Sequence, residues 1–429
     1  MNIKEVKLKI IKDSRGKDTL EAKINTQENN REFLGWASIP SGKSTGIHEV
    51  KALEPKVALK KFELIKNKII NNDFRDQKEF DDFLIDLDGT DNKSNIGANL
   101  ILSLSLSFAR AISKSKNLEL YQYIKEISNI KPSFFVKNLK DKQTSNNFPH
   151  PIFNVINGGA HVEIPKIWNK KFGIKKSLDF QEFQIIPTTD DFAIGLSVGK
   201  EFYTKLGKEL IKIYGKENVL LGDEAGYLCP FKTNEEALEM LQELINRNLY
   251  PLKIGLDVAA SQFHNDADNT YLIEGEKRTP EELSMLYDGI IHRYDIVSLE
   301  DPFQEEAFDD FSKLLKDMPQ KIIITDDLTT TNSKRLTRAI GEKSGNAILI
   351  KLNQIGTLSQ TLEVIKIAYE NNWKAVVSHR SGETNDDFIA DLAVGVGAWG
   401  LKSGAPAKPE RMAKYNRTLE LWGRKMGIE

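Results

Sequence analysis

The chain has 429 residues and carries 60 Lys and Arg against 62 Asp and Glu, a formal net charge of −2. This balance, with 40% hydrophobic and 28% charged residues, is typical of a globular enzyme and predicts no nucleic-acid partner. No apolar run is long enough to cross a bilayer, and the first ten residues lack the core of a signal peptide, so we expect a cytoplasmic protein with no membrane partner. The single cysteine, Cys229, excludes an intramolecular disulfide and is expected to be a small buried hydrophobe.

The amino-terminal third has the patterns of an α+β domain. Residues 3–38 alternate apolar and polar side chains as strands do, and residues 49–130 carry helical spacing. The stretch 137–147 is polar and poor in apolar residues, which indicates a linker. We therefore predict two domains, an amino-terminal one at residues 1–147 and a catalytic one at residues 148–429.

The carboxyl-terminal half repeats one arrangement: a short apolar run, then a charged or imidazole side chain, then a helix-like stretch. The residues that close these runs are Asp257, Glu300, Asp326, Lys351, His379 and Lys402. Continuous apolar runs suit buried parallel strands, and the intervening segments are long enough for crossover helices. The pattern therefore predicts an α/β fold with a (β/α) barrel, in which these side chains meet at one catalytic mouth.

Three of these residues predict a metal site. An acidic residue after a strand is often only a turn or a helix cap. Asp257, Glu300 and Asp326, however, would bring oxygen ligands from three strands of one barrel, a set that suits Mg²⁺ better than zinc. Lys351 would lie beside that cation, where burial and positive charge should lower its pKa and suit it to act as a general base.

A series of short motifs, in order along nearly the whole chain, resembles the enolase family. The motifs lie at residues 14–16, 40–46, 87–90, 97–99, 153–159, 181–183, 222–224, 255–261, 299–303, 326–329, 351–356, 378–384 and 402–406. Each tripeptide alone is weak evidence, but the full series in the family's order is specific. The resemblance implies an amino-terminal α+β domain on a modified (β/α)8 TIM barrel whose first strands are antiparallel.

The resemblance also implies a reaction, the reversible loss of water from 2-phosphoglycerate to give phosphoenolpyruvate in glycolysis. By the same match, Lys351 is the base that removes the proton beside the carboxylate, and Glu224 is the acid that protonates the departing hydroxyl. Glu182 would raise the pKa of Glu224 as a like-charged neighbour, and His379 would lie near the leaving group. The implied cofactor is Mg²⁺, held first by the three carboxylates and then, with substrate present, also by Ser44.

The implied substrate is a small phosphorylated carboxylate. Arg380 and Ser381 match the phosphate-binding positions, where a guanidinium fork complements a phosphate better than an ammonium does. Lys402 matches the residue on the substrate carboxylate, while His161, the family's mobile-loop histidine, and Gln181 complete the substrate-binding set. The family's usual assembly implies a homodimer or an octamer.

Departures from the family's pattern leave two other functions open. Lys43 replaces a small residue in the loop that carries Ser44, and residues 162–178 form an insertion where the family has a short loop. Ala225 stands where a glycine is usual. The alternatives are a superfamily enzyme acting on a phosphonate or carboxyphosphono analogue, and a catalytically weak binding protein whose lysine-rich insertion contacts a partner. The apolar Ile167, Trp168 and Phe172 favour an ordered insertion that packs on the mouth over a solvated loop.

Overall fold

The structure is a computed structural model that describes residues 1–43, 46–70, 72–130, 148–159 and 164–428. The predicted domain boundary at residue 147 lies outside these residues and stays a prediction. Among the helices that the structure describes, none combines the length and apolar content needed to cross a membrane. Cys229 is buried, as expected.

The amino-terminal domain is a three-stranded antiparallel sheet backed by helices. The strands are β1 (Asn2–Lys12), β2 (Asp18–Glu28) and β3 (Arg31–Ser38), in that order. The helices are α1 (Pro55–Ile69), α2 (Gln77–Asp88), α3 (Ala98–Ser115) and α4 (Leu120–Ser128). Helix α3 is buried along nearly its whole length and packs on β2 and β3. The approach is so close that a side chain at Gly35 would lie 1.9 Å from the Ser107 carbonyl oxygen.

The second domain is a closed barrel of eight strands, which confirms the predicted fold. Its strands are β4 (His150–Asn157), β5 (Glu182–Pro187), β8 (Leu252–Asp257), β12 (Ile296–Glu300), β13 (Ile322–Thr325), β14 (Ala347–Ile350), β15 (Lys374–Ser378) and β16 (Gly400–Lys402). Strand β5 runs antiparallel to both of its neighbours, whereas the other neighbouring pairs are parallel and β16 closes the barrel on β4. The first strands are thus antiparallel, as the resemblance implied.

Helices and short strands surround the barrel. The helices are α5 (Lys166–Phe172), α6 (Phe192–Tyr214), α7 (Asn234–Asn248), α8 (Pro280–Arg293), α9 (Phe308–Asp317), α10 (Ser333–Glu342), α11 (Leu352–Ile355), α12 (Leu358–Glu370), α13 (Phe388–Val396) and α14 (Pro409–Met426). The short strands are β6 (Leu220–Leu221), β7 (Tyr227–Leu228), β9 (His264–Asn265), β10 (Thr270–Ile273) and β11 (Glu276–Arg278). Several helix starts follow sequence signals: α8 has Pro280 in its first turn and a capping box between Thr279 and Glu282.

The barrel strands contribute both an apolar cluster and a group of charged side chains. Side chains of five barrel strands, among them Ile152, Ile324, Leu349 and Val376, form an apolar cluster separate from the main core. The charged residues lie at the carboxyl ends of the strands. In the sheet register, Glu300 is level with Ile324 and Lys402 is level with Ile152, so the charged groups lie beside this apolar cluster.

The amino-terminal domain is tied to the barrel beside this charged end. Arg110 of α3 donates hydrogen bonds to both carboxylate oxygens of Asp386, at 2.8 and 2.9 Å, and to Asp387 at 2.7 Å. Burial and the Arg110 charge act in opposite directions on the pKa of Asp386, and the charge wins and lowers it. Ser41 and Gly382 pair through their backbones as an isolated bridge. The loop after β3 is therefore held over the barrel mouth.

Candidate active site

A cavity of about 220 Å³ opens at the charged end of the barrel. Most of the predicted site residues line it: Gln181, Glu182, Glu224, Asp257, Asp326, Lys351, His379, Arg380, Ser381 and Lys402. Glu300 is buried beside it and contacts Lys402. Lys43 also lines the cavity. Ser44 and His161 lie outside the described residues, so their predicted roles stay predictions.

Lys402 holds three carboxylates together on the floor of the cavity. Its Nζ lies 2.9 Å from Asp257 Oδ2, 2.9 Å from Glu300 Oε2 and 3.0 Å from Glu182 Oε2, and all four groups are buried. Burial alone would lower the pKa of Lys402, but the three carboxylates raise it well above its ordinary value. Glu182 reaches this group because β5 is antiparallel, which places its first residue opposite Asp257, the last residue of β8.

The acidic side of the cavity has more negative than positive groups. Burial and the neighbouring Asp257 hold the pKa of Glu300 well above its ordinary value. Burial, with Asp326 nearby, raises the pKa of Asp327 to about 7. Asp301 accepts the backbone N–H groups of Asp326 and Asp327 at 2.9 and 2.7 Å, so both of its oxygens already take part in fixing the turn after β13.

Lys351 directly follows β14 and forms an ion pair with Asp326. Burial alone lowers the pKa of Lys351, but attraction to Asp326 outweighs burial and the pKa stands above its ordinary value. The expectation of a lowered pKa concerns a site that holds a cation beside Lys351, and it stays a prediction. Without a cation, the carboxylate of Asp326 is in direct contact with the ammonium group. Gln354 donates to the other oxygen of Asp326 at 3.1 Å and fixes its orientation.

Glu224 lies on a different wall of the cavity, in a polar group with His379 and Asn154. Its Oε2 accepts a hydrogen bond from the Asn154 amide at 3.0 Å and lies 3.4 Å from His379 Nε2. Burial lowers the pKa of His379 to about 4 despite the attraction of Glu224, so the imidazole is neutral near pH 7. Burial, followed by the like charges of Glu224 and Asp257, raises the pKa of Glu182, with Lys402 opposing this rise. The pair of buried glutamates can therefore retain a proton at neutral pH.

Arg380 and Ser381 are held by residues of the amino-terminal domain. The Arg380 guanidinium donates from its two Nη atoms to the two oxygens of Glu49, each at 3.1 Å. Ser381 Oγ accepts from Arg15 at 3.2 Å, and Arg15 also donates to Ser41 Oγ at 2.7 Å. The two residues predicted to hold a phosphate thus lie buried next to each other between the domains.

Comparison with known sequences agrees with this geometry. The chain matches the family profile "Enolase, N-terminal domain" over residues 3–124 and the profile "Enolase, C-terminal TIM barrel domain" over residues 145–424. The chain belongs to the enolase family. Among similar proteins, the enolase of Methanocaldococcus jannaschii is 39% identical, over 98% of this chain and 94% of that protein. The enolase of Methanococcus maripaludis strain C5 is 38% identical, over 98% of this chain and 95% of that protein.

The enolase family implies a divalent cation, and the donor set in this chain fits one. Asp257 and Glu300 end neighbouring strands, and Asp326 follows the next strand, so three hard oxygen ligands come from adjacent positions around the barrel. These carboxylates already bind the ammonium groups of Lys402 and Lys351, which shows that their oxygens point at positive charge. The carboxylates of Asp301, Asp326 and Asp327 also lie within 4.8 Å of one another, but Asp301 is engaged by two backbone N–H groups.

The predicted insertion at residues 162–178 contains a helix in its described part, residues 164–178. Helix α5 buries Trp168, which is only 2% exposed, against Ile174 and Leu228 of β7. Ile167 on the same helix is 50% exposed. No described residue of the insertion lines the cavity. The described part of the segment therefore packs on the barrel beside β7 and the Glu224 loop, and the expectation that it packs on the mouth was wrong for these residues.

Sequence reasoning missed several residues that shape this enolase site. Glu49, Arg15 and Arg411 contact predicted site residues but received no role of their own. Arg15 lies within a recognised motif, at residues 14–16, and could have been found there. Glu49 and Arg411 follow no strand end and carry no local signal.

Proposed function

We propose that this enolase-family lyase catalyses the reversible dehydration of 2-phosphoglycerate to phosphoenolpyruvate. The observation that carries the proposal is one cavity with Lys351 on one wall and the Glu182–Glu224 pair on another, above the buried Lys402. A dehydration of this kind needs a base beside an acidic carbon and an acid beside the leaving hydroxyl. Both kinds of group are present and separately held.

The division of roles is the one that the family resemblance implies, and the contacts of each group support it. Lys351, once neutral, accepts the proton from carbon 2, and the electron pair of that C–H bond becomes the new double bond. Glu224 donates its proton to the hydroxyl on carbon 3, the C–O bond breaks, and water leaves. Lys402 binds the carboxylate, and Arg380 with Ser381 binds the phosphate, because a guanidinium fork suits phosphate oxygens. Glu182 supports Glu224 as its coupled neighbour.

Magnesium is the proposed cofactor. Asp257, Glu300 and Asp326 would hold it, and Ser44 would contribute to a second ion in the presence of substrate. A bound divalent cation supplies positive charge where the substrate carboxylate gains negative charge on loss of the neighbouring proton. Gln181 and His161 are proposed to contact the substrate, and His379 to lie near the leaving group.

The assembly and the location of the protein are part of the same proposal. The family resemblance supports a homodimer or an octamer in the cytoplasm, acting on a small phosphorylated carboxylate in glycolysis without a nucleic-acid or membrane partner. Light scattering coupled to size-exclusion chromatography measures the assembly directly. A mass corresponding to a monomer at all concentrations would contradict this part.

The two alternative functions are less well supported. A phosphonate or carboxyphosphono substrate would explain a changed loop, but the family match covers both domains of the chain. A binding protein without activity would not need Lys351, Glu224 and the carboxylates held in one cavity. Enolase activity accounts for all of these features together.

One assay tests the proposed function. Purified full-length protein with 2-phosphoglycerate and Mg²⁺ should form phosphoenolpyruvate, followed by its ultraviolet absorbance, and chelation should abolish the reaction. Asp257→Ala and Lys351→Ala should be inactive, while Lys366→Ala, an exposed lysine of α12, is the matched control and should be unchanged. Absence of product with wild-type protein, or full activity after exhaustive chelation, would contradict the proposal.

A further inference from the structure

Arg411 is a buried arginine that touches three parts of the cavity wall. It lies in the first turn of α14 and is fully buried. One Nη atom donates to the carbonyl oxygen of Arg380 at 2.6 Å and to His379 Nδ1, and the other donates to the carbonyl oxygens of Ser381 at 2.6 Å and Asp223 at 3.1 Å. Its contacts therefore include the residue before Glu224 as well as the loop after β15.

The contact with Nδ1 decides which nitrogen of His379 carries the hydrogen. A guanidinium group has only N–H donors and stays protonated in proteins, so Nδ1 must accept. A neutral imidazole with an accepting Nδ1 carries its hydrogen on Nε2. That hydrogen faces Glu224, because Nε2 lies 3.4 Å from Glu224 Oε2. The arginine thus makes His379 a donor towards the glutamate.

The tautomer in turn affects where Glu224 carries its proton. Glu224 Oε2 accepts a hydrogen bond from the Asn154 amide and faces the N–H group of His379. A proton on Oε2 would therefore face two hydrogen-bond donors, which is unfavourable. The proton of a neutral Glu224 is therefore placed on Oε1. With the opposite tautomer, Nε2 would be a hydrogen-bond acceptor. It would then compete with the substrate hydroxyl for the proton of Glu224.

A second cation of the same helix start strengthens the link to the Glu224 loop. Lys408 Nζ donates to the carbonyl oxygens of Gly222 at 2.8 Å and Asp223 at 3.1 Å. The backbone N–H of Ala405 donates to the Glu224 carbonyl oxygen at 2.9 Å. The chain from residue 405 to residue 411 therefore fixes the Glu224 backbone, while Arg411 alone also reaches the His379 ring.

We propose that Arg411 is a positioning residue for the acid Glu224 and acts through His379 by fixing its imidazole as the Nε2–H tautomer. This inference rests on the proposed function in assigning the acid role to Glu224. The tautomer itself does not depend on any activity. The two parts can therefore be tested separately.

The first test is nitrogen NMR of the full-length protein labelled with ¹⁵N-histidine. The chain has six histidines, and loss of one signal set in His379→Gln assigns the ring. Wild-type His379 should show a protonated Nε2 and an unprotonated Nδ1, and Arg411→Gln should shift the ring towards a mixture of tautomers. A wild-type ring with its hydrogen on Nδ1, or with both nitrogens protonated at pH 7, would overturn the proposal without any variant.

The second test separates positioning from folding by kinetics. Arg411→Gln should lower kcat for dehydration by about 100-fold, leave KM within about threefold, and retain exchange of the carbon-2 proton with solvent, because only the acid step is affected. Arg411→Lys should recover part of kcat. Arg417→Gln is the matched control, since Arg417 lies on the same helix and is paired with Asp391 and Glu119 away from the cavity.

The outcomes are distinguishable from failure of the proposed function. Wild-type protein that forms no phosphoenolpyruvate would refute the function, whatever the tautomer. Active wild-type protein whose Arg411→Gln variant keeps the wild-type tautomer, or loses exchange and dehydration equally, would refute the role of Arg411. If Arg411→Gln does not fold, the proposal is tested by the wild-type nitrogen spectrum and by kcat of Arg411→Lys.

Discussion

Replacing Trp168 by alanine should release the insertion from the barrel without unfolding the rest of the protein. Trp168 is the largest side chain of a small apolar cluster with Ile174 and Leu228, separate from the main core. Phe172 adds an edge contact with Tyr214, at 6.0 Å between ring centroids, and Lys171 pairs with the exposed Glu217. These few contacts hold helix α5 in place.

The expected size follows from burial and chain entropy. Truncating a buried tryptophan costs about 3–5 kcal/mol. Ordering seven helical residues costs about 1–2 kcal/mol for each residue, which the contacts of this small cluster must offset. Without about 3–5 kcal/mol of packing free energy, helix α5 cannot stay bound to the barrel. The variant should therefore respond by local detachment of this helix. The loss in global unfolding free energy should then stay below that of a core truncation.

Hydrogen exchange with mass spectrometry, together with urea unfolding, measures both quantities. In Trp168→Ala, amide protection over residues 166–174 should fall by at least about 100-fold, the equivalent of about 3 kcal/mol, while the barrel strands keep theirs. Ile167→Ala is the matched control, because Ile167 lies on the same helix but is 50% exposed, and it should change neither quantity. The opposite outcome is unchanged amide protection in the insertion together with a loss of about 3–5 kcal/mol in global unfolding free energy, as for a core truncation. That result would show that the segment belongs to the main core.

Three further predictions test other parts of the reasoning. Lys351→Ala should abolish exchange of the carbon-2 proton of 2-phosphoglycerate with solvent deuterium, which proton NMR measures. Glu224→Gln should keep this exchange but block loss of water. Equal loss of exchange in both variants would contradict the division of roles. Arg380→Lys should raise KM at least about tenfold in steady-state assays, because a lysine cannot form the fork, while Arg338→Lys on the surface should not. Burial raises the pKa of Asp81 to about 6, so its contribution to stability is present when protonated and is lost as the pH rises through about 6. From pH 5 to pH 7, wild type should therefore lose about 1 kcal/mol of unfolding free energy in urea relative to Asp81→Asn, and parallel curves would contradict the raised pKa.

The residues that could be predicted from the sequence are those whose position follows from a strand. Asp257, Glu300 and Lys402 end parallel strands. The apolar runs before them arise because both faces of these strands are buried, which makes the strands recognisable in the sequence. Glu182 breaks this rule, since it begins an antiparallel strand whose amino end faces the mouth. No pattern in a short apolar run gives the direction of a strand, and only resemblance to the family brought Glu182 into the predicted site.

The rest of the site depends on how separate parts of the chain dock. The sequence around Arg411 does not distinguish it from an ordinary charged residue in the first turn of a surface helix. Its complete burial results from the loops packed around it. The pKa of Lys351 likewise depends on its contact with Asp326, which lies 25 residues away in the chain. Distances between such side chains are set by tertiary packing and leave no mark on local periodicity.

The fork between Glu49 and Arg380 constrains how this protein can be recombined with its relatives. The anion partner of a barrel arginine is encoded more than 300 codons upstream of it, in the other domain. A chimera that joined this barrel to a foreign amino-terminal domain lacking the glutamate would bury an arginine without its counter-charge, at a cost of several kcal/mol. An exchange of whole domains in this protein therefore needs a foreign amino-terminal domain that supplies a carboxylate to Arg380.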